Sequence, residues 1–192
     1  MMVKLGKDFY QESAIELAPK FLGKKLVHET EKGRISGIIN EVEAYPAHVD
    51  EVSHGNQRTK RTEVLYKSGG YAYVYLIYGV HHQFAVVVNK KEVPEVVFVR
   101  SVIPKEGIDL MKENFAREVR NIRRLTGSPG NLCKSFSINK EHYGLDLTTD
   151  EIFIENTDIK ISPDRIVSTE RIGISSKLKG STNKFRFKID RI

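Results

Sequence analysis

The sequence has little that would cross-link the chain, anchor it in a membrane or divide it. Among 192 residues there is one cysteine, Cys133, and no tryptophan. A single cysteine excludes an internal disulfide and any zinc site built on several cysteines. No run reaches the about 18 apolar residues of a transmembrane helix, and residues 1–9 lack the apolar stretch of a secretion signal. We therefore expect no membrane association and a reducing compartment, the cytoplasm or nucleoid if the protein is bacterial.

The chain also lacks repeats, low-complexity tracts and linkers rich in proline or serine, which predicts a single domain over residues 1–192. Hydrophobic residues make up 40% and charged residues 29%, a balance typical of globular proteins. The 31 lysines and arginines outnumber the 25 aspartates and glutamates, which gives a net charge of +6. A basic surface favours polyanions, of which nucleic acid is the commonest.

The spacing of apolar residues predicts more strands than helices. Helical spacing covers residues 12–21 and 107–125, and Asn131 is a candidate cap of a short helix that runs to residue 138. Strand patterns cover residues 25–29, 34–45, 71–78, 83–88 and 96–102, and an edge strand is predicted at 185–189. This order predicts an α+β fold, a single domain built on a curved, mostly antiparallel β-sheet or open barrel with flanking helices.

The predicted strand over residues 34–45 carries two carboxylates among apolar residues. Strict alternation would place Glu41, Glu43 and Tyr45 on the same face as Ile35 and Ile39. A strand end that emerges into solvent would explain this pattern. The alternative explanation is a carboxylate held in a cleft as a general base.

Tyrosines are concentrated in the strand that follows. Tyr71, Tyr73 and Tyr75 share one face, and Tyr78 precedes a glycine turn. Tyrosine has a high strand propensity, so core packing is one interpretation. In a basic protein, tyrosines at the end of a strand can also stack on bases or enter a duplex, and this segment alone leaves both interpretations open.

Taken together, these segments resemble the alkyladenine (3-methyladenine) DNA glycosylase family. The resemblance extends from about residue 21 to residue 174 and is carried by Glu41-Val-Glu-Ala-Tyr45, Asp50-Glu-Val-Ser-His54, Thr59-Lys-Arg61, Tyr73-Val-Tyr-Leu-Ile-Tyr-Gly79, Val99-Arg100, Leu132-Cys133 and Ile138-Asn-Lys140. No single segment is specific. The combination of Glu-x-Glu-Ala-Tyr, Tyr-Val-Tyr-x-x-Tyr-Gly and a later strand arginine is specific.

The resemblance implies catalytic and base-binding roles. Glu43 would activate the water that attacks C1′ of an extruded nucleotide, and Arg100 would help to hold that water and the nearby backbone. Tyr45 and His54 would line one side of the base slot, and Tyr75 would line the other. A slot between tyrosine rings suits an N-alkylated purine, because such a purine carries positive charge.

The resemblance also implies contacts with the duplex. Tyr78 would fill the gap that the extruded nucleotide leaves, and Thr59, Lys60, Arg61 and Lys134 would contact the DNA backbone.

One position of the base pocket departs from the family. Where the family commonly has an asparagine in the strand after the Tyr-Gly turn, this chain has Ala85. We expect Ala85 to make the pocket roomier and less discriminating, with relatively more action on 7-methylguanine and less selectivity for hypoxanthine.

The expected function is that of a monofunctional glycosylase that removes alkylated or deaminated purines from double-stranded DNA and leaves an abasic site. Candidate substrates are 3-methyladenine, 7-methylguanine, hypoxanthine and ethenoadenine. No lysine occupies a motif position, so lyase activity is not expected. We expect no metal or organic cofactor and a monomeric enzyme.

Three alternatives remain at this stage. His48, Asp50 and His54 have a spacing that a metal-dependent nuclease or hydrolase could use. The chain could instead be a catalytically inactive module that binds damaged DNA, or a basic structural protein with an interaction surface on this face.

Overall fold

One antiparallel sheet organises the computed structural model, which describes residues 3–49, 51–116 and 118–190. Its strands are β1 (Lys25–Thr30), β2 (Gly33–Tyr45), β3 (Ala72–Ile77), β4 (His81–Val88), β5 (Glu95–Glu106), β6 (Ile152–Glu155), β7 (Ile166–Thr169) and β8 (Arg186–Ile189). The main order is β3-β4-β5-β2-β1-β6, and β8 pairs with both β2 and β7. The pairings of these strands are antiparallel and the sheet does not close, so the predicted α+β fold is confirmed.

Within the described ranges, three short helices accompany the sheet: α1 (Ala14–Phe21), α2 (Ile108–Phe115) and α3 (Pro129–Ser135). The side chain of Ser13 caps α1 by accepting the backbone N–H of Glu16. Ser128 is the N-cap residue of α3, whereas the sequence placed Asn131 there and extended the helix to residue 138; Asn131 lies inside the helix. Over the described ranges, none of the helices has the length and apolarity needed to cross a membrane.

The helix predicted over residues 107–125 is interrupted. α2 ends at Phe115, where Ala116 adopts a left-handed φ of 53° and returns its N–H to the last turn of the helix. A separate 3-10 turn, Ile122–Leu125, follows. Val119 and Leu125 still pack on the same core as α2, which explains why the apolar spacing looked continuous across the break.

The carboxy-terminal strand was predicted to be an edge, and this prediction is wrong. β8 pairs with residues 41–43 of β2 on one side and with β7 on the other. β6 and β7 were not predicted, because their sequences, unlike that of β8, show no alternation of apolar and polar residues.

The two faces of the sheet pack against different partners. On the helix-covered face, the side chains of all three helices join a large apolar cluster that includes Phe84 of β4. On the loop-covered face, a smaller cluster contains Tyr73, Ala85 and Phe98 and packs against the segment that precedes β3. Cys133 is buried on the helix-covered face, and burial raises the pKa of its thiol well above the usual value.

The register of β2 with β5 shifts at three places, one at Lys105 and two close together near Arg100. Asn40 has no partner on β5, and Arg100 has none on β2, so each strand carries one additional residue at this point. The hydroxyl of Ser101 donates to Oδ1 of Asn40 at 2.8 Å.

The bulge on β2 reverses the alternation of side chains. Ile35 and Ile39 pack on the helix-covered face before it, whereas Val42 and Ala44 do so after it. Glu43 therefore projects from the loop-covered face. The prediction of one face shared by Ile35, Ile39, Glu41, Glu43 and Tyr45 is wrong, because strict alternation does not anticipate an inserted residue.

Candidate active site

Glu43 is fully buried, and both of its carboxylate oxygens accept hydrogen bonds. Oε1 accepts the backbone N–H of Ile172 at 2.8 Å and lies 3.1 Å from Nη1 of Arg100. Oε2 accepts the hydroxyl of Tyr45 at 2.9 Å. A buried carboxylate requires partners of this kind, and these three contacts fix its position.

Arg100 lies between two carboxylates. Its Nε donates to Oε1 of Glu41 at 2.8 Å, while its Nη1 faces Glu43. The same Glu41 oxygen accepts Nε of Arg186 at 2.7 Å, and Arg186 also donates to Thr169 at 3.2 Å. The network thus joins β5, β2, β8 and β7 through the Glu41 carboxylate and the guanidinium groups of Arg100 and Arg186. The Arg100 side chain is 13% exposed and that of Glu43 is 0% exposed, so solvent reaches the pair at Arg100.

An aromatic cluster lies beside the carboxylate and consists of Tyr45, His54, Tyr73, Tyr75 and Phe98. The ring centroids of Tyr45 and Tyr75 lie 6.3 and 6.4 Å from that of Phe98. Tyr73 stacks on Tyr75 at 4.8 Å, and His54 meets the edge of Tyr75 at 5.1 Å. The structure thus brings Tyr45, His54 and Tyr75, the three aromatic residues predicted to bind a base, close to Glu43.

Burial controls the protonation of this cluster. Burial raises the pKa of Tyr45 well above the usual range, and the negative charge of Glu43 raises it further. The Tyr45 hydroxyl therefore stays protonated and donates a hydrogen bond to Glu43. Burial is also the main cause of the raised pKa of Tyr75. Partial burial lowers the pKa of His54, and the charge of Arg61 adds to this effect. The His54 imidazole is therefore neutral at neutral pH.

Both tyrosines predicted to form the base slot already contact a cation. The guanidinium carbon of Arg61 lies 5.2 Å from the ring centroid of Tyr75, and that of Arg171 lies 4.9 Å from the ring centroid of Tyr45. Each ring therefore presents a face that attracts positive charge.

Sequence reasoning missed Arg171 and Ile172 as site residues. Arg171 is buried and donates to the carbonyl oxygens of Ala44 and Gly180, both at 3.1 Å. Arg171 therefore fixes the position of its neighbour Ile172, whose N–H is donated to Glu43. The only signal is an isolated arginine before Ile-Gly, 127 positions from its partner on β2, and no local pattern connects the two.

The hairpin between β3 and β4 has an exposed apolar tip. Ile77 pairs with His81, so the tip consists of Tyr78, Gly79 and Val80. Tyr78 is 91% exposed and has a left-handed φ of 52°, which is unusual for a bulky residue. Its ring is therefore available to a partner rather than to the core of this chain.

The residues predicted to contact the DNA backbone lie in two places. Thr59, Lys60 and Arg61 are exposed, and Thr59 and Arg61 line a cavity of about 570 Å³ together with His54. Lys134 is exposed on α3 and lies next to the hairpin tip, where it shares a cavity with Val80, His81 and His82.

Ala85 lies deeper than the other predicted base-binding residues. It is fully buried and pairs in register with Tyr73 on one side and Phe98 on the other. A base would touch it only if the neighbouring rings moved.

The metal hypothesis for His48, Asp50 and His54 remains untested, because Asp50 lies outside the described residues.

The site combines a buried carboxylate paired with an arginine, an aromatic cluster and an exposed tyrosine on a basic α+β protein. This combination is that of the class of DNA glycosylases, which act on a base taken out of the stack. The sequence profile of the methylpurine-DNA glycosylase family matches residues 8–191, and the chain belongs to this family.

Bacterial relatives match nearly the whole chain, and each carries the provisional name of 3-methyladenine DNA glycosylase. The protein of Clostridium novyi is 37% identical over 196 residues, which cover 98% of this chain and 96% of the relative. That of Oceanobacillus iheyensis is 40% identical over 97% of this chain and 92% of its own length. That of Bacillus subtilis is 38% identical over 93% and 89%.

Proposed function

We propose that this enzyme extrudes 3-methyladenine, 7-methylguanine and related damaged purines from duplex DNA and hydrolyses their N-glycosidic bond. The name of the relatives supports the first of these substrates. Hypoxanthine and ethenoadenine are proposed as neutral substrates, and each of these leaving purines would also take up a proton from solvent water. The observation that carries the proposal is the buried Glu43 carboxylate, which Arg100, Tyr45 and the N–H of Ile172 hold beside the aromatic cluster.

In the proposed reaction, Glu43 accepts a proton from a water molecule while the water oxygen bonds to C1′ of the damaged nucleotide. The bond from C1′ to the purine nitrogen breaks, and its electron pair leaves with the purine. For an N-alkylated purine this electron pair neutralises the positive charge, so no acid is needed. The Glu43 carboxylate also stabilises positive charge that develops on the sugar.

The aromatic cluster supports a cationic substrate. The rings of Tyr45 and Tyr75 attract cations through their faces, so each would favour a positively charged purine by about 0.5–2 kcal/mol where the purine takes the place of the guanidinium group next to the ring. Because Glu43 has no exposed surface, we propose that the side chains around it separate when the nucleotide enters.

The hairpin tip supports base extrusion. An exposed tyrosine on a three-residue turn can enter the stack in place of the nucleotide, and extrusion costs least at a damaged pair. The product is an abasic site. None of the described lysines forms an ion pair or hydrogen bond with Glu43 or Arg100, which supports a reaction without a lyase step.

The test is single-turnover release of base from methylated DNA and from duplexes that contain hypoxanthine or ethenoadenine, with EDTA present throughout. We expect Glu43→Gln to lower the rate by about 10²- to 10⁴-fold. Glu12→Gln is the matched control, because Glu12 is an exposed glutamate before α1 whose ion-pair partner is Lys20. Strand breaks should appear only after alkali.

Other outcomes would select an alternative. Binding to damaged duplex without release of any base would indicate a catalytically inactive module. Activity that EDTA abolishes would indicate a metal-dependent nuclease or hydrolase. Strand breaks without alkali would contradict the absence of a lyase step.

Selectivity among lesions is proposed to depend on Ala85. Ala85→Asn should raise the preference for hypoxanthine over 7-methylguanine, and it should cost about 1–3 kcal/mol of stability because the amide enters a buried aromatic site. Ala85→Leu supplies similar volume without the amide and is the control. Equal selectivity of the wild type and Ala85→Asn would refute the proposed role.

A further inference from the structure

A second cluster of chemically active side chains lies outside the proposed active site. His28 comes from β1, His142 from the 3-10 turn Lys140–His142, and Glu151 immediately precedes β6. One ligand atom from each residue lies within 4.8 Å of the other two. We propose that His28, His142 and Glu151 bind a divalent transition-metal ion of the zinc type.

The donor atoms and their spacing fit such an ion. Nε2 of His142 and Oε1 of Glu151 are 3.4 Å apart. Two ligands of a tetrahedral zinc ion, each about 2.0–2.1 Å from the metal, are separated by about 3.3 Å. Two imidazoles with one carboxylate form a donor set that suits zinc and its neighbours rather than magnesium or calcium.

The orientation of His28 is that of a metal ligand. Its Nδ1 lies 2.6 Å from the carbonyl oxygen of Phe136, which can only accept, so Nδ1 carries the proton and donates it. Nε2 of the neutral ring then has a free lone pair, and no described residue hydrogen-bonds to it. Metal-binding histidines typically donate their other N–H to a carbonyl oxygen in this way.

The ring of His142 is also held in place. Its Nδ1 accepts the backbone N–H of Asn139 at 3.1 Å and lies 3.3 Å from the carbonyl oxygen of the same residue. Binding of a metal at Nε2 moves the proton to Nδ1, which then donates to that carbonyl oxygen instead of accepting the N–H. The rings of His28 and His142 meet edge to face at 5.0 Å. Only small shifts are needed to bring the two imidazoles and the carboxylate to a common centre.

An ion can reach this cluster from solvent. The three residues line a cavity of about 500 Å³. The two histidines are buried, whereas the Glu151 side chain is 52% exposed and can adjust without a change in the core. Three protein ligands leave a fourth position for water on the cavity side.

The proposed site connects through Tyr143, the neighbour of His142, to the loop that carries Thr59, Lys60 and Arg61. The hydroxyl of Tyr143 accepts the N–H of Val64 at 3.2 Å and donates to the carbonyl oxygen of Arg61 at 3.1 Å. The ring of Tyr143 also contacts Tyr73 at 6.3 Å. A bound ion would therefore stabilise both the junction of β1 with β6 and the turn that supports this loop.

The test uses the full chain, stripped of metal with EDTA and dialysed, then titrated with zinc chloride by calorimetry and thermal unfolding. We expect one equivalent to bind and the Tm to rise by about 5–10 °C at a free zinc concentration about 100 times Kd. Cobalt chloride should give the intense visible absorption of a four-coordinate ion. Glu151→Gln, which changes a half-exposed side chain, and His142→Asn should each weaken binding at least tenfold.

The control is His81→Ala/His82→Ala, which removes the adjacent histidines of β4 and should leave zinc binding unchanged. The proposal is overturned if the folded wild type shows no stoichiometric binding, if Glu151→Gln binds zinc as the wild type does, or if the His81/His82 variant loses the binding. Base release is assayed in EDTA, so failure of either proposal leaves the other intact.

Discussion

The helix-covered and loop-covered faces of the sheet differ although the same strands build both. Phe84 and Ala85 are consecutive on β4, yet Phe84 enters the large apolar cluster under the helices and Ala85 enters the smaller cluster of tyrosines. Beside that second cluster lie the buried charges of Glu43 and Arg171 and the largely buried Arg100. One face is dominated by apolar contacts, and the other holds several charged groups in fixed positions.

The difference separates stability from chemistry. Apolar burial contributes stability without directional partners. Buried ion pairs contribute little net stability, because the cost of desolvation offsets their attraction, but they hold functional groups rigidly in a low-dielectric site. We therefore expect substitutions on the two faces to affect different measurements.

A truncation on the helix-covered face should have the largest effect. Phe84→Ala should lower the free energy of unfolding by about 3–5 kcal/mol, because it leaves a cavity in a fully buried cluster. The rate of base release per folded molecule should stay close to that of the wild type. Urea denaturation measures the free energy of unfolding, and active-site titration gives the rate per folded molecule. A loss of rate that exceeds the loss of folded protein would show that the two faces do not separate stability from chemistry.

A substitution at the boundary of the loop-covered face should affect both measurements. Arg171→Met removes the donors to Ala44 and Gly180 and should cost about 1–3 kcal/mol of stability. Because Arg171 positions the segment that binds Glu43, base release should also fall by about 10- to 100-fold. Arg171→Lys, which keeps the charge but not the two-pronged geometry, should lie between. Reduced stability with an unchanged single-turnover rate would show that Arg171 is only structural.

The smallest effect on stability should come from the hairpin tip. Tyr78→Ala should change the free energy of unfolding by less than about 0.5 kcal/mol, because the side chain is almost fully exposed. Its effect should appear with DNA, where the loss of one stacking contact weakens binding to damaged duplex by about 5- to 150-fold. Tyr78→Phe keeps the ring and should bind as the wild type does. Equal binding by Tyr78→Ala and Tyr78→Phe would contradict a stacking role.

Local patterns were sufficient to predict the long elements of the fold. β1 to β5 are runs of branched and aromatic residues, and α1 has clear helical spacing, so each was predicted within a few residues. The end of α2 was missed because it depends on the left-handed conformation of Ala116, which the apolar spacing does not reveal. β6 and β7 form only because strands distant in sequence pair with them.

The candidate site was predictable to the extent that its residues lie in recognisable segments. Glu43, Tyr45 and Arg100 belong to such segments, and the structure brings them into contact. Two partners of the site come from the carboxy-terminal third and have no motif of their own: Ile172, which donates to Glu43, and Arg186, which donates to Glu41. Their proximity results from the pairing of β8 with β2, which only the tertiary structure shows.

The position of Arg100 within a bulge has a consequence for the evolution of the site. A residue without a cross-strand partner is free of the pairing preferences that limit the choice of its neighbours on the ladder. The sheet can therefore exchange the side chain beside Glu43 without rebuilding its hydrogen-bonded framework. New chemistry could therefore arise by substitution of Arg100, because the pairing of β2 with β5 does not depend on this residue.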